Sequence, residues 1–309
     1  ERMIRPFDWR DLPVLHRYRN QGICLNSALG LTRGIAISSS ILISFLNPTT
    51  GNFTWITADD ETPIIGQLHH PSDSTVSRII FLAPLKRINN PRSQALIEHL
   101  SKQAGKRGAF HVLAEIDELA PAFEILRKSG FGIYARQRIW KITDEATSGK
   151  YQSKWVPIKE KHIINVQTIF HNVVPGLVSQ IEHLTVKDLQ GLVCLHSDSL
   201  TAFVDLKYGI HGIWAQPFVH PDVSGIDDVL HSLIASIPDR RSRPIYLCIR
   251  TYQSWLEPAI AEMESQPSPL EAVMVKRLVA RKKIALQSLP NLNGQKEISA
   301  PIIHSQRNK

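Results

Sequence analysis

The turn in "APLKRINNPRSQAL" brings Lys86, Arg87 and Arg92 together with Asn89, Asn90 and Ser93. Ammonium and guanidinium groups beside amide and hydroxyl donors are what gripping an anion requires. The plain alternative is a solvated turn in which Asn90 only caps the helix that follows. Glu115, in the strand-like "HVLAEID", is a general base if it faces a cleft, and a surface carboxylate otherwise. Tyr134 supplies an O–H able to give up a proton; its plain alternative, shared by Tyr252, is an aromatic half-buried in a sheet.

Other chemistries find no support. His69-His70, His211 and His220 have no partner at helical spacing and no cysteine companion, so no metal site is expected. Ser38-Ser39-Ser40 lies in no nucleophile-elbow pattern. Cys24, Cys194 and Cys248 are far apart with no CxxC pair, which excludes a zinc knuckle or disulfide framework and implies a reducing, cytoplasmic setting. No apolar run approaches the roughly 20 residues that cross a bilayer, and "ERMIRPFDWRDLP" holds no apolar signal core. The net charge of +8 gives solubility and salt-sensitive attraction to anions. Nucleic acid is disfavoured as a partner, because no recognition-helix motif or aromatic-basic platform accompanies that charge.

The elements that position these residues form two similar halves. "ELAPAFEIL" (118–126) matches "WLEPAIAEM" (255–263), each with proline where a first helical turn tolerates it. The preceding "FHVLAEI" matches "IYLCIRT", and the following "ARQRIWKI" matches "EAVMVKRL". In the first half "DWRDLPVLHRYRNQG" reads as an opening helix. "ILISFL", "FTWITA" and "TPIIGQLHH" read as strands, with the longer run "IAISSSILISFL" as a buried one. "RIIFLAPL" is then a buried strand, and "NNPRSQALIEHLSKQAGKRG" a helix capped by Asn90 and stopped near Gly105 and Gly108. Polar "TDEATSGKYQSK" separates the halves. The expected organisation is an N-terminal domain at 1–145, a linker at 146–154, a C-terminal domain at 155–286 and a flexible tail at 287–309. Each half is mixed α/β, with hairpin-linked strands first and a strand-helix-strand crossover after.

This order, with "RPFDWRDLPVL" at the start and "AFEILRKSGF" near the end, resembles the GNAT superfamily of acyl-CoA N-acyltransferases, in two tandem divergent copies. The resemblance implies a mixed α+β sheet in which two central parallel strands part, leaving a slot for the pantetheine arm of acetyl-CoA. It also implies a glycine-rich turn that cradles the pyrophosphate. Against the family ending of Asn, Ala, Leu-Tyr and Gly-Phe, this chain has Leu119, Ala122, Ile125, Leu126, Gly130 and Phe131. The frame matches, but Leu126 replaces the tyrosine that protonates the departing thiolate. The first cradle has no glycine; Lys86, Arg87, Asn89, Asn90, Arg92 and Ser93 are its replacement donors. The second, "PFVHPDVSGIDDVL", keeps Gly225 but puts Asp227 and Asp228 where an anion would lie. Residues 86–93 are therefore the expected cofactor turn, with Glu115 as base and Tyr134 as substitute acid.

The first functional reading is transfer of an acyl group from acetyl-CoA to a primary amine on a small molecule or peptide. The alternative is a non-catalytic GNAT-fold protein that binds or scaffolds, with a homo-oligomer as one form of that role. A basic nucleic-acid-associated protein comes third.

Overall fold

The structure, a computed structural model, describes residues 4–18, 20–34, 51–57, 62–142, 151, 154–184, 189–196 and 199–278. The expected strand "IAISSSILISFL", the expected tail and most of the expected linker lie outside the described residues.

The first half runs β1 (Ile4–Pro6), α1 (Leu12–Tyr18), β2 (Ile23–Cys24), α2 (Ser27–Arg33), β3 (Asn52–Thr57), β4 (Ile65–His69) and β5 (Val76–Ala83). It continues with α3 (Pro91–Lys106), β6 (His111–Asp117), α4 (Pro121–Lys128) and β7 (Gly132–Ile142). The second half runs β8 (Lys154–Pro157), α5 (Ile163–Val173), α6 (Gly176–Ser179), β9 (Gly191–His196), β10 (Ser199–Tyr208) and β11 (Ile213–Val219). It ends with α7 (Ile226–Ser236), β12 (Ile245–Arg250), α8 (Glu257–Ala261), β13 (Ser265–Pro267) and β14 (Glu271–Arg277). Asn90 does cap α3, its side chain accepting from the Arg92 N–H, and Pro91 takes the first turn. No helix among the described residues is long and apolar enough to cross a membrane.

The described strands all join one sheet, whose main path is β1-β3-β4-β5-β6-β14-β7-β12-β11-β10-β9-β8. That order is a palindrome of the repeat: β5 answers to β11, β6 to β12, and β14 to β7. The last strand of each half thus sits in the other half's territory. β14 lies antiparallel between β6 and β7, and β7 passes on to pair with β12. One face of the sheet packs on α3 and α4 in the first half and on α7 and α8 in the second. Alternation along β6 sends Val112, Ala114 and Ile116 into the α3–α4 core and leaves Leu113 and Glu115 on the opposite face. That opposite face carries α1, α2 and α5, and α2 crosses the boundary: Ala28 and Leu31 pack with Trp214 and Cys248. The cysteines Cys24, Cys194 and Cys248 are all free thiols.

β14 is the strand both halves depend on, because without it β6 and β7 would each expose an unpaired edge in the middle of the sheet. A chain ended before Ser265 is expected to lose its single cooperative urea transition. Met274→Ala, at a fully buried position on β14, is expected to keep that transition and lower stability by about 2–5 kcal/mol.

Candidate functional site

The strands that should part do so in both halves. In the first, β5 and β6 pair only at Val76↔His111, Ser77↔Val112 and Arg78↔Leu113. In the second, β11 and β12 pair only at Ile213↔Ile245, Trp214↔Tyr246 and Ala215↔Leu247. Past those points each wedge bares backbone groups that a linear amide could engage.

The first wedge is filled by main chain. β2 pairs antiparallel with the free edge of β5, Ile23 opposite Leu82 and Cys24 opposite Phe81. Leu25, 1% exposed, bridges the two parted strands: its N–H donates to the Ile80 carbonyl at 2.6 Å, and its carbonyl accepts from the Glu115 N–H at 2.9 Å. The backbone positions a pantetheine arm would use are already satisfied.

The basic turn is closed in the same way. After β5 the chain winds through a short 3₁₀ turn, Leu85–Arg87. The Leu85 N–H donates to Gln21, Arg87 to Pro84, Ile88 to Leu85 and Asn90 to Arg87. The Asn90 side chain is taken up by its cap, and the buried Ser93 hydroxyl donates to the Arg87 carbonyl at 3.0 Å. Lys86, Arg87 and Asn89 are exposed and Arg92 is half-buried. A cradle needs N–H groups aimed outward, and here those of Arg87, Ile88, Asn90 and Ser93 donate within the turn. Of the residues expected to grip a pyrophosphate, Asn90 and Ser93 have their side chains engaged within the turn, and Lys86, Arg87 and Arg92 stand beside the filled slot.

The second wedge is filled by one side chain. Gln253, 1% exposed, accepts from the Val219 N–H at 3.0 Å and donates to the Pro217 carbonyl at 3.0 Å. Its carboxamide makes on the edge of β11 the two hydrogen bonds that an incoming amide would make. Gln253 reaches that position because its backbone (φ −123°, ψ 25°) breaks the 3₁₀ run Thr251–Leu256. Beyond β11, Gly225 takes a left-handed conformation (φ 73°) at the start of α7, with Asp227 and Asp228 in the first turn. Two carboxylates there oppose a phosphate.

Glu115 is not a surface carboxylate, nor is it free to act as a base. It is buried, accepting from the Ser27 N–H at 2.8 Å and from Arg78 at 3.2 Å. The Ser27 hydroxyl in turn donates to Glu271 on β14 at 2.6 Å, so the start of α2 is fastened to two strands. Tyr134 is the extra residue of a bulge, where pairing with β14 jumps from Ala135 to Ile133. Its ring packs among second-half residues around Phe170 and Phe218, and its hydroxyl donates to Glu182. Burial pushes the Tyr134 phenol well above its ordinary value, and the Glu182 charge adds to this. The group is a neutral hydrogen-bond donor engaged in the second half, not an acid beside the first wedge.

The charged residues missed by inspection of the sequence are Arg78, Glu182 and Arg250. Arg250, 4% exposed, donates to Glu182 at 2.7 Å. One signal was present: Glu115 and Arg250 occupy matching places in "FHVLAEI" and "IYLCIRT", an acid in one copy and a base in the other. Among the described residues no cluster could hold a metal ion.

No family model matches the chain, and no curated protein matches it. Among solved structures it is similar to a GCN5-related N-acetyltransferase from Sphaerobacter thermophilus, at 10% identity and a TM-score of 0.59, over 90% of this chain and 96% of that one. It is also similar to a tandem GNAT protein from the clavulanic acid biosynthesis pathway, at 13% identity and a TM-score of 0.52, over 89% of this chain and 98% of that one. Likeness at such identities establishes the fold and not the activity. The chain has the GNAT fold in two tandem copies.

Two outcomes follow from these contacts. Gln253→Ala strands the Val219 N–H and the Pro217 carbonyl, and is expected to cost about 1–3 kcal/mol in urea unfolding. Burial alone would raise the Glu182 carboxyl, but Arg250 and then Arg78 hold it below its ordinary value of 4.5. Its stabilising contribution is therefore complete above that value and is lost as pH falls through the lower folded value. Glu182→Gln is expected to flatten this acid limb in melting temperature against pH. At neutral pH the same change leaves Arg250 without its anion, at a cost of about 3–5 kcal/mol.

Proposed function

We propose that this chain is a GNAT-fold binding protein that does not turn over acyl-CoA. What carries the reading is that both sheet wedges are occupied by the chain's own hydrogen-bonding groups, Leu25 in one copy and Gln253 in the other. As they stand, the residues present fit acetyl-CoA poorly: the N-terminal turn spends the N–H groups of Arg87, Ile88, Asn90 and Ser93 on its own carbonyls, and the C-terminal helix opens with two acids. Leu126, fully buried, cannot protonate a thiolate, and Tyr134 is held by Glu182. Proximity alone can still accelerate aminolysis of a thioester, but only where both reactants have room to bind.

One observation favours transfer as a second reading. The C-terminal wedge is barred by a single side chain and not by main chain, and a carboxamide can swing away where a paired strand cannot. In this reading acetyl-CoA displaces Gln253 and a primary amine is the acceptor.

Calorimetric titration with acetyl-CoA decides between the two. Wild type is expected to give no saturable heat and, with a panel of primary amines, to release no free thiol. Saturable binding abolished by Arg87→Glu together with Arg92→Glu would overturn the proposal and restore the N-terminal turn as a cofactor site. Binding and turnover in wild type that survive that double change, and strengthen in Gln253→Ala, would establish the second reading.

A further inference from the structure

A cavity of about 600 Å³ lies at the seam of the two halves, within the usual range for small-molecule sites. The first half contributes Arg78 and Glu115; the second contributes Glu182, Asp205, Lys207 and Arg250. Phe170, Trp214 and Phe218 supply an aromatic wall. With Asp73 of the first half also in the lining, three bases face four acids, which makes the cavity unsuited to a polyphosphate and suited to a ligand that carries both signs.

The hydrogen-bond ledger shows which charges have capacity to spare. Glu115 is committed through both oxygens, to Ser27 and to Arg78. Glu182 uses Oε1 for both Tyr134 and Arg250, leaving Oε2 uncommitted among the described residues. Among the described residues the Asp205 carboxylate has one ion pair, to Lys207 at 3.7 Å. Among the described residues Arg78 commits only Nη1, and its side chain remains 31% exposed. Burial pushes the Asp205 carboxyl up, a cost that Lys207 only partly offsets and that an arriving cation would relieve. Two under-used carboxylates, two guanidiniums with spare donors (Arg78, and Arg250 through its buried Nε and Nη1) and an aromatic wall form a site with both an anionic and a cationic end.

We propose that this cavity binds a small zwitterion of amino-acid size, its ammonium held by Asp205 and Glu182 and its carboxylate by Arg78. The assignment rests on the binding-protein reading and names the ligand class for it. The ligand straddles the seam, so each half supplies one end of the site and neither half is sufficient alone.

Calorimetry on the full chain tests this with γ-aminobutyrate and a pool of α-amino acids, against butylamine and butyrate as single-charge controls. At least one zwitterion is expected to bind saturably, and each control at least about tenfold more weakly, the loss of one charge-assisted contact. Asp205→Asn and Arg78→Gln are each expected to weaken binding about tenfold or more, while Arg127→Gln, exposed on α4, leaves it unchanged. Because Arg78→Gln also removes a partner of buried Glu115, Asp205→Asn is decisive if the former fails to fold. No heat from any zwitterion, binding of a control as tight as the zwitterion, or indifference to Asp205→Asn would each overturn the proposal. An acetyl-CoA titration of the same preparation reports separately on the binding-protein reading: heat there overturns that reading whatever the zwitterions do.

Discussion

Where two parallel strands part inside a protein, the backbone groups they bare must find partners, because an orphaned interior N–H or carbonyl costs as much as a lost hydrogen bond. A wedge in a sheet is therefore never neutral: it is a slot awaiting a ligand or a joint closed by the chain. Here both wedges are joints. Leu25 closes one with its peptide groups and Gln253 closes the other with its carboxamide. The two solutions share no sequence, yet each provides a donor and an acceptor: Leu25 bridges β5 and β6, and Gln253 satisfies two groups on the edge of β11. That one constraint explains β2, the kink at Gln253 and the burial of both residues.

The repeat adds a second level. With β14 seated between β6 and β7, the two halves share a continuous central ladder, so they cannot separate without breaking β-pairing. Such a joint differs from a polar domain interface, where relative motion is the default. A rigid seam can hold charges from both sides at fixed separation. The matched positions Glu115 and Arg250 use this: one anchors α2 and Arg78 in the first half, the other holds Glu182 of the second half, which also accepts from Tyr134 of β7. Divergence of one repeat position to opposite signs gave the centre of the molecule both an acid and a base.

Much of the fold was legible because it is written in local pattern. Asn90-Pro91 announces the start of α3, Gly130 takes its positive φ of 85° just after α4, and the proline-started segments 118–126 and 255–263 mark the repeat. The parting of the strands also followed from the family resemblance. What closes the wedges was not legible. Ile23 to Leu25 is too short a run to read as a strand, and its partner on β5 lies more than fifty residues away. Gln253 looks like any polar residue at a strand end until the edge of β11 is placed beside it. The surroundings of Lys86 to Ser93 were hidden for a related reason: composition shows cations and donors, but only backbone geometry shows that Arg87, Ile88, Asn90 and Ser93 donate within the turn.

A fold that has closed its original slots need not have lost the capacity to bind. The strands part in each copy, and Glu115 and Arg250, beside the two wedges, both line the central cavity. Glu115 follows the paired part of β6 and Arg250 follows the paired part of β12, so both sit where their wedges begin. Closing the wedges with Leu25 and Gln253 fixes the backbone that carries these charges, and fixed charges recognise ligands better than mobile ones because less freedom is lost on binding. The plugs that argue against acyl transfer are thus the same contacts that preorganise the central cavity. Opening a wedge for a cofactor would loosen the strand ends on which Glu115 and Arg250 stand, so the two uses of this sheet compete for the same hydrogen bonds.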